Sequence, residues 1–232
     1  MLSSRQMKPA GFSSSEMAFV FDMDGVIVHS MPLHTEAWEI YLRRYGIRAD
    51  RATIDAKMHG KHNTEVVRAF FGENLDVEEV LAHGAEKEKL YRELMRPRLR
   101  EFLVPGLTVF LSRFGNLRKA LASNAEPANV EFVLDEAGLR PYFQVAISGQ
   151  QVQRPKPDPA IYLLAAELLK VRPENCVVFE DSPTGIQAAR GAGARVVGLT
   201  TTSPDLADCD LIIRDFLDSK LEAWLAQFPL AV

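Results

Sequence analysis

The residues most able to do chemistry stand in four short clusters along this 232-residue chain: Asp22-Met23-Asp24-Gly25, Ser123-Asn124, Lys156 within Arg154-Pro155-Lys156-Pro157-Asp158-Pro159, and Glu180-Asp181-Ser182. Paired acids can bind a metal, attack an electrophile or move a proton. A hydroxyl, an amide and a lysine are donors to phosphate oxygens. Each cluster also has a plain structural reading. Asp and Gly form turns, Ser123 or Asn124 could cap the helix expected over 126–137, the proline-bracketed lysine could sit in a rigid linker, and Asp181 or Ser182 could cap a helix starting near Pro183.

The elements that must position these residues are short β-prone runs alternating with helical patterns. The runs are Ala18–Phe21, 119–122, 144–147, 176–179, Arg195–Leu199 and 210–213. This alternation predicts an α/β fold with a mainly parallel sheet. Most runs end in a polar or glycine cluster, at the carboxyl ends of strands where open parallel sheets bind ligands. Between the first two runs, about 34–103, helical periodicity replaces strand signal, as in 35–45 and Val77–Met95. That is too long for an ordinary crossover. It reads as a helical insertion bounded by Pro32 and Pro105-Gly106, or alternatively as helices packed on the sheet edge.

With 47% hydrophobic and 25% charged residues, the chain has the composition of a globular protein with a substantial core. The net charge of −4 offers no general positive field for nucleic acid or anionic lipid, so a small-molecule partner is expected. Two cysteines, Cys176 and Cys209, make no disulfide framework. No apolar run approaches the roughly 18 residues of a membrane span. A cytoplasmic protein is the expectation. Residues 1–16 are polar and serine-rich and read as a flexible extension, with a short organelle-targeting peptide as the alternative.

Taken in order, the four clusters resemble the four motifs of the haloacid dehalogenase superfamily, and the resemblance runs from about residue 18 to about residue 215. Arg-Pro-Lys-Pro-Asp-Pro and Phe-Glu-Asp-Ser-Pro-Thr-Gly-Ile look like its sugar-phosphatase and β-phosphoglucomutase branch. The resemblance implies a Rossmann-like core, 17–33 with 104–232, and an α-helical cap, 34–103. It implies Mg2+ held by the Asp22 carboxylate, the Asp24 backbone carbonyl and Asp181, with Glu180 contributing in the mutase-like branch. Asp22 would then be the nucleophile that forms an aspartyl phosphate. Asp24 would be the general acid and base, with Ser123, Asn124 and Lys156 on the phosphate. An intact Asp24 favours phosphate esters over dehalogenation.

The substrate should be chosen by the cap, where Lys61, His62 and Asn63 lie in a polar segment, 58–64, between two helical patterns; a solvated helix–helix turn is the plain alternative. His34 and Trp38 also match positions near the cap entrance in the mutase-like branch. A mutase must clamp a second phosphate, yet Glu126 stands where that branch has a basic residue and Asn63 where it has an arginine. The expectation is therefore a magnesium-dependent phosphatase of a small sugar or polyol phosphate, monomeric or weakly self-associating. A phosphohexose mutase and a non-catalytic metal or phosphate sensor are the alternatives. His29, where the family commonly has Asp, is assigned no function.

Overall fold

The structure is a computed structural model that describes residues 17–58 and 61–228, so the expected extension at 1–16 and residues His59 and Gly60 of the expected cap loop lie outside the described residues. Six strands form one parallel sheet in the order β3-β2-β1-β4-β5-β6. They are β1 (Ala18–Phe21), β2 (Arg118–Ala122), β3 (Val145–Ile147), β4 (Cys176–Glu180), β5 (Arg195–Leu199) and β6 (Leu211–Ile213). All six lie on the apolar runs read from sequence, with ends shifted by a residue at most.

β1 shows why these runs become central strands. All four of its residues are fully buried, because a parallel strand covered on both faces needs apolar side chains at every position. Successive side chains point to opposite faces. Phe19 and Phe21 enter a cluster with Phe110, Phe114 and Phe179, while Ala18 and Val20 enter a second cluster with Ile161, Ala165 and Ile186. The first face is covered by α5 (Leu107–Arg113), α6 (Pro127–Glu136) and α9 (Ser219–Leu225), the second by α7 (Ala160–Leu169) and α8 (Pro183–Gly191). The result is a three-layer α/β sandwich.

Among the described residues, four α-helices occupy the chain between β1 and α5: α1 (Met31–Arg44), α2 (Arg51–Met58), α3 (Asn63–Phe71) and α4 (Val77–Met95). Pro32 falls in the first turn of α1, where its missing N–H costs nothing. α4 opens on a reciprocal cap in which Glu79 N donates to Asp76 Oδ1 at 2.8 Å and Asp76 N to Glu79 Oε2 at 2.9 Å. The chain leaves and rejoins the sheet layer side by side, since His29 N donates to Phe102 O at 2.8 Å and Val104 N to Ile27 O at 3.0 Å.

Chain reversal falls between β1 and β4, where the strand order switches direction. A crevice opens there beyond the carboxyl ends. Asp22 follows β1, Ser123 follows β2, and Glu180 ends β4 with Asp181 next.

The aromatic face of β1 should dominate stability. Phe19 is fully buried, with ring centroids 5.5 Å from Phe110, 5.4 Å from Phe114 and 5.6 Å from Phe179. Phe19→Ala should cost about 3–5 kcal/mol in urea unfolding. Val109→Ala, at an exposed position of α5, should stay within about 0.5 kcal/mol. Equal effects of the two would contradict this assignment of the core.

Candidate active site

Three buried carboxylates, Asp22, Glu180 and Asp181, bring ligand oxygens within 4.8 Å of one another. One buried cation meets them: Lys156 Nζ donates to Asp22 Oδ1 at 2.6 Å, Glu180 Oε1 at 2.7 Å and the Ala122 carbonyl at 3.0 Å. Asn124 fixes the lysine's own backbone, its Oδ1 accepting from Lys156 N at 3.2 Å. Lys156 Nζ also lies 4.8 Å from the centre of the Tyr162 ring.

Both carboxylate oxygens of Glu180 are held by protein donors. Oε1 accepts from Lys156 and from the Tyr162 hydroxyl, both at 2.7 Å. Oε2 accepts from Asp181 N at 2.9 Å, Ser182 N at 3.1 Å and Ser182 Oγ at 3.0 Å. Five donors meet a carboxylate with about four lone-pair sites. Gly185 makes room for it, since a Cβ there would lie 1.7 Å from Oε1. Ser182 also caps α8, accepting from Gly185 N at 3.1 Å, so the capping role read from sequence coexists with its place in the site.

Electrostatics differ among the three acids. Burial would raise Glu180, but Lys156, Tyr162 and Ser182 outweigh it and hold its carboxyl low. Asp181 is pushed well up by burial and by the charges of Glu180 and Asp22. Asp22 is raised to about 7, mainly by burial, with Lys156 opposing and Glu180 adding to the rise. Burial pulls Lys156 down, yet Asp22 and Glu180 together raise it, so it stays a cation. One lysine among three acids leaves excess negative charge, and hard oxygen donors of this kind fit a divalent cation such as Mg2+. Gly25 lets the loop close over the cluster: its φ is +76°, and a Cβ would lie 1.8 Å from Asp181 Oδ2.

Asp24 stands apart, with Oδ1 accepting from Ser30 Oγ at 2.5 Å and lying 3.9 Å from His34 Nε2. A cavity of about 720 Å3 joins these groups to the helical segment. Its walls include Asp22, Asp24, His34, Lys61, His62, Asn63, Ser123, Asn124, Lys156, Glu180 and Asp181, every site residue expected from sequence. Lys61 and His62 are exposed at its rim.

Several groups here had no sequence signal. Ser30 and Tyr162 sit in ordinary helical and loop contexts. Lys87 and Glu88, on α4, are both buried: Lys87 Nζ lies 2.5 Å from Glu88 Oε1 and 3.0 Å from His34 Nδ1. His34 stacks on Tyr91 with ring centroids 3.8 Å apart.

The crowding of acids gives a stability prediction. Because the folded pKa of Asp22 is raised above its ordinary value of 3.8, folding binds an extra proton between about pH 4 and 7, and stability falls as pH rises through that window. Asp22→Asn should therefore melt higher than the parent at pH 8 in chelator, with the gain shrinking towards pH 4. A lower melting temperature for the variant at pH 8 would contradict the charge balance described.

Residues 16–193 match the family model of haloacid dehalogenase-like hydrolases. The chain is 34% identical over 180 residues to the fructose-1-phosphate phosphatase YqaB of Escherichia coli strain K12, a match covering 77% of this chain and 93% of that protein. It is 33% identical over 196 residues to a phosphorylated carbohydrates phosphatase of Thermotoga maritima, covering 81% and 87%. Among solved structures, a β-phosphoglucomutase from Clostridium difficile aligns with a TM-score of 0.78 at 26% identity, covering 90% of this chain and 96% of that one. The resemblance carried by the four motifs is thus borne out, and with its α/β fold and its cluster of acids beyond β1 and β4 the chain belongs to the haloacid dehalogenase-like hydrolases.

Proposed function

We propose that the protein is a magnesium-dependent phosphatase that transfers the phosphoryl group of a small sugar or polyol phosphate to Asp22 and then to water. The observation that carries this reading is the buried lysine between two acids at the floor of a cavity that also reaches the helical segment. The relatives named above, a fructose-1-phosphate phosphatase and a phosphorylated carbohydrates phosphatase, support it.

In this reading Asp22 Oδ1 is held by Lys156, leaving Oδ2 to attack phosphorus. The P–O bond to the leaving group breaks as the Asp22 O–P bond forms. Asp24, steadied by Ser30, gives its proton to the departing alkoxide and later takes one from the water that cleaves the aspartyl phosphate. Ser123, Asn124 and Lys156 surround the transferred group, and Lys156 offsets part of its charge. Asp22, Asp181 and the Asp24 backbone carbonyl would hold Mg2+, which when bound offsets the charge of carboxylates and phosphate so that the two can approach. Glu180, with its oxygens occupied by five protein donors, serves as anchor and counter-charge of Lys156.

Residues 34–103 would act as a cap on a core of 17–33 and 104–232, choosing the leaving group through Lys61, His62, Asn63 and His34. The core would treat every phosphate alike.

Asp22→Asn should lower phosphate release by at least about a thousandfold with the fold intact. Asp24→Asn should lose about 10²–10⁴-fold in kcat while keeping Mg2+ affinity, unlike Asp181→Ala. Near-parental turnover by Asp22→Asn would sink the mechanism; matched Mg2+ losses in Asp24→Asn and Asp181→Ala would sink the assignment of ligands.

Across a panel of phosphate esters, Lys156→Ala should slow all substrates by a similar factor, whereas joint replacement of Lys61, His62 and Asn63 by alanine should reorder kcat/KM among sugar phosphates and spare p-nitrophenyl phosphate. The reverse pattern would remove the loop from substrate choice.

A further inference from the structure

The loop that follows β5 carries three threonines, Thr200, Thr201 and Thr202, none of which the reaction described above uses. β5 lies beside β4 and β4 beside β1, so a loop leaving the carboxyl end of β5 can turn back over the end of β4 towards the turn after β1. Two hydrogen bonds hold it there. Thr200 N donates to Ile213 O at 3.0 Å, which ties the start of the loop to the end of β6. Thr201 Oγ1 donates to the Gly25 carbonyl, which ties the middle of the loop to the turn that holds Asp22 and Asp24. Thr202 comes next, half-buried and in the wall of the cavity.

Thr202 differs from its two neighbours, whose hydroxyls both donate to carbonyls. Its Oγ1 is buried, yet it makes no hydrogen bond of ordinary geometry among the described residues. What it faces is the acid cluster. A Cβ on Gly25 would lie 1.8 Å from Asp181 Oδ2 and 2.8 Å from Thr202 Oγ1, so both oxygens crowd the side of Gly25 where a side chain would stand. The hydroxyl is near enough to Asp181 to favour its charged form, against burial and the charges of Glu180 and Asp22. Buried polar groups are nearly always hydrogen-bonded, and a hydroxyl has one proton to give and two lone pairs to fill. Asp181 can take the proton. Donors to the lone pairs are what a hydrated cation brings, since Mg2+ keeps several of its waters when it binds carboxylates.

We propose that Thr202 is a positioning residue for the divalent cation: its hydroxyl donates to Asp181, fixing that carboxylate as a ligand, and accepts from water on the ion. The proposal rests on the reading of Asp181 as a metal ligand and goes beyond it by giving a role to a residue outside the four motif clusters. Partners that orient metal ligands are worth about 10–100-fold in metal affinity. Thr201 supplies the contrast. Its hydroxyl already bonds a protein carbonyl, so it serves the fold of the loop with or without an ion.

Calorimetric titration of the whole chain with Mg2+ alone, paired with melting in chelator, separates the two roles. Thr202→Val keeps the shape of the side chain and removes the hydroxyl. It should weaken Mg2+ binding by about 10–100-fold while leaving the metal-free melting temperature unchanged or raised, because the hydroxyl it removes is buried without a full hydrogen bond. Thr202→Ser should restore most of the affinity, whereas Thr201→Val should lower the metal-free melting temperature. Thr202→Ala should repeat the Mg2+ loss and serves if the valine variant does not fold. Mg2+ affinity within about twofold of the parent in Thr202→Val, or failure of serine to restore it, would overturn the proposal. So would equal falls in metal-free melting temperature for Thr202→Val and Thr201→Val, or an effect confined to KM for a phosphate ester. Absence of Mg2+ binding by the parent is a different result, and it would overturn the reading of the site as a magnesium centre together with this one.

Discussion

Lys156 Nζ is buried against Asp22, Glu180 and the Ala122 carbonyl, and the rest of the site is arranged around that fact. Two unit charges about 4 Å apart interact by about 4 kcal/mol at an effective dielectric of 20, so three such acids without the lysine would repel strongly. The sheet supplies the proximity. β1 pairs with both β2 and β4, which puts Asp22, Ser123 and Glu180 at three adjacent carboxyl ends, and the loop before α7 brings Lys156 across them. Tyr162 and the start of α8 then satisfy Glu180, so the anchor of the lysine is itself anchored.

The same constraint separates the acids into roles. Glu180 is saturated by protein donors, Asp24 is turned towards Ser30 and His34, and Asp22 and Asp181 are left as raised, under-compensated carboxylates. In the proposed reaction these become anchor, proton carrier, and nucleophile with metal ligand. Residue type alone could not make that division, because all four are acids. Position relative to one buried lysine does.

Much of this was legible in the sequence. Each strand was visible because a strand buried on both faces is an unbroken apolar run, and the site was visible because those runs stop abruptly at acids, a serine and a proline-bracketed lysine. What was hidden had no periodic or compositional trace. Lys87 and Glu88 stand in a stretch read only as a helix from its periodicity, yet they pair with each other against His34 and Trp38 and are buried. Ser30 and Tyr162 act through single hydroxyls whose partners are far away or only fixed in three dimensions. Glu126 could be read as the absence of a basic residue, but its partner Arg92 is 34 positions earlier and could not be read at all.

In the proposed reaction Asp22 carries the phosphoryl group. A single turnover with a phosphate ester, quenched in acid on the millisecond scale and digested for mass spectrometry, tests it directly. A transient phosphoryl adduct is expected on the peptide that contains Asp22, localised to that carboxylate and decaying as phosphate is released. Phosphate release at full rate with no adduct at any time point, or with the adduct on another residue, would contradict it.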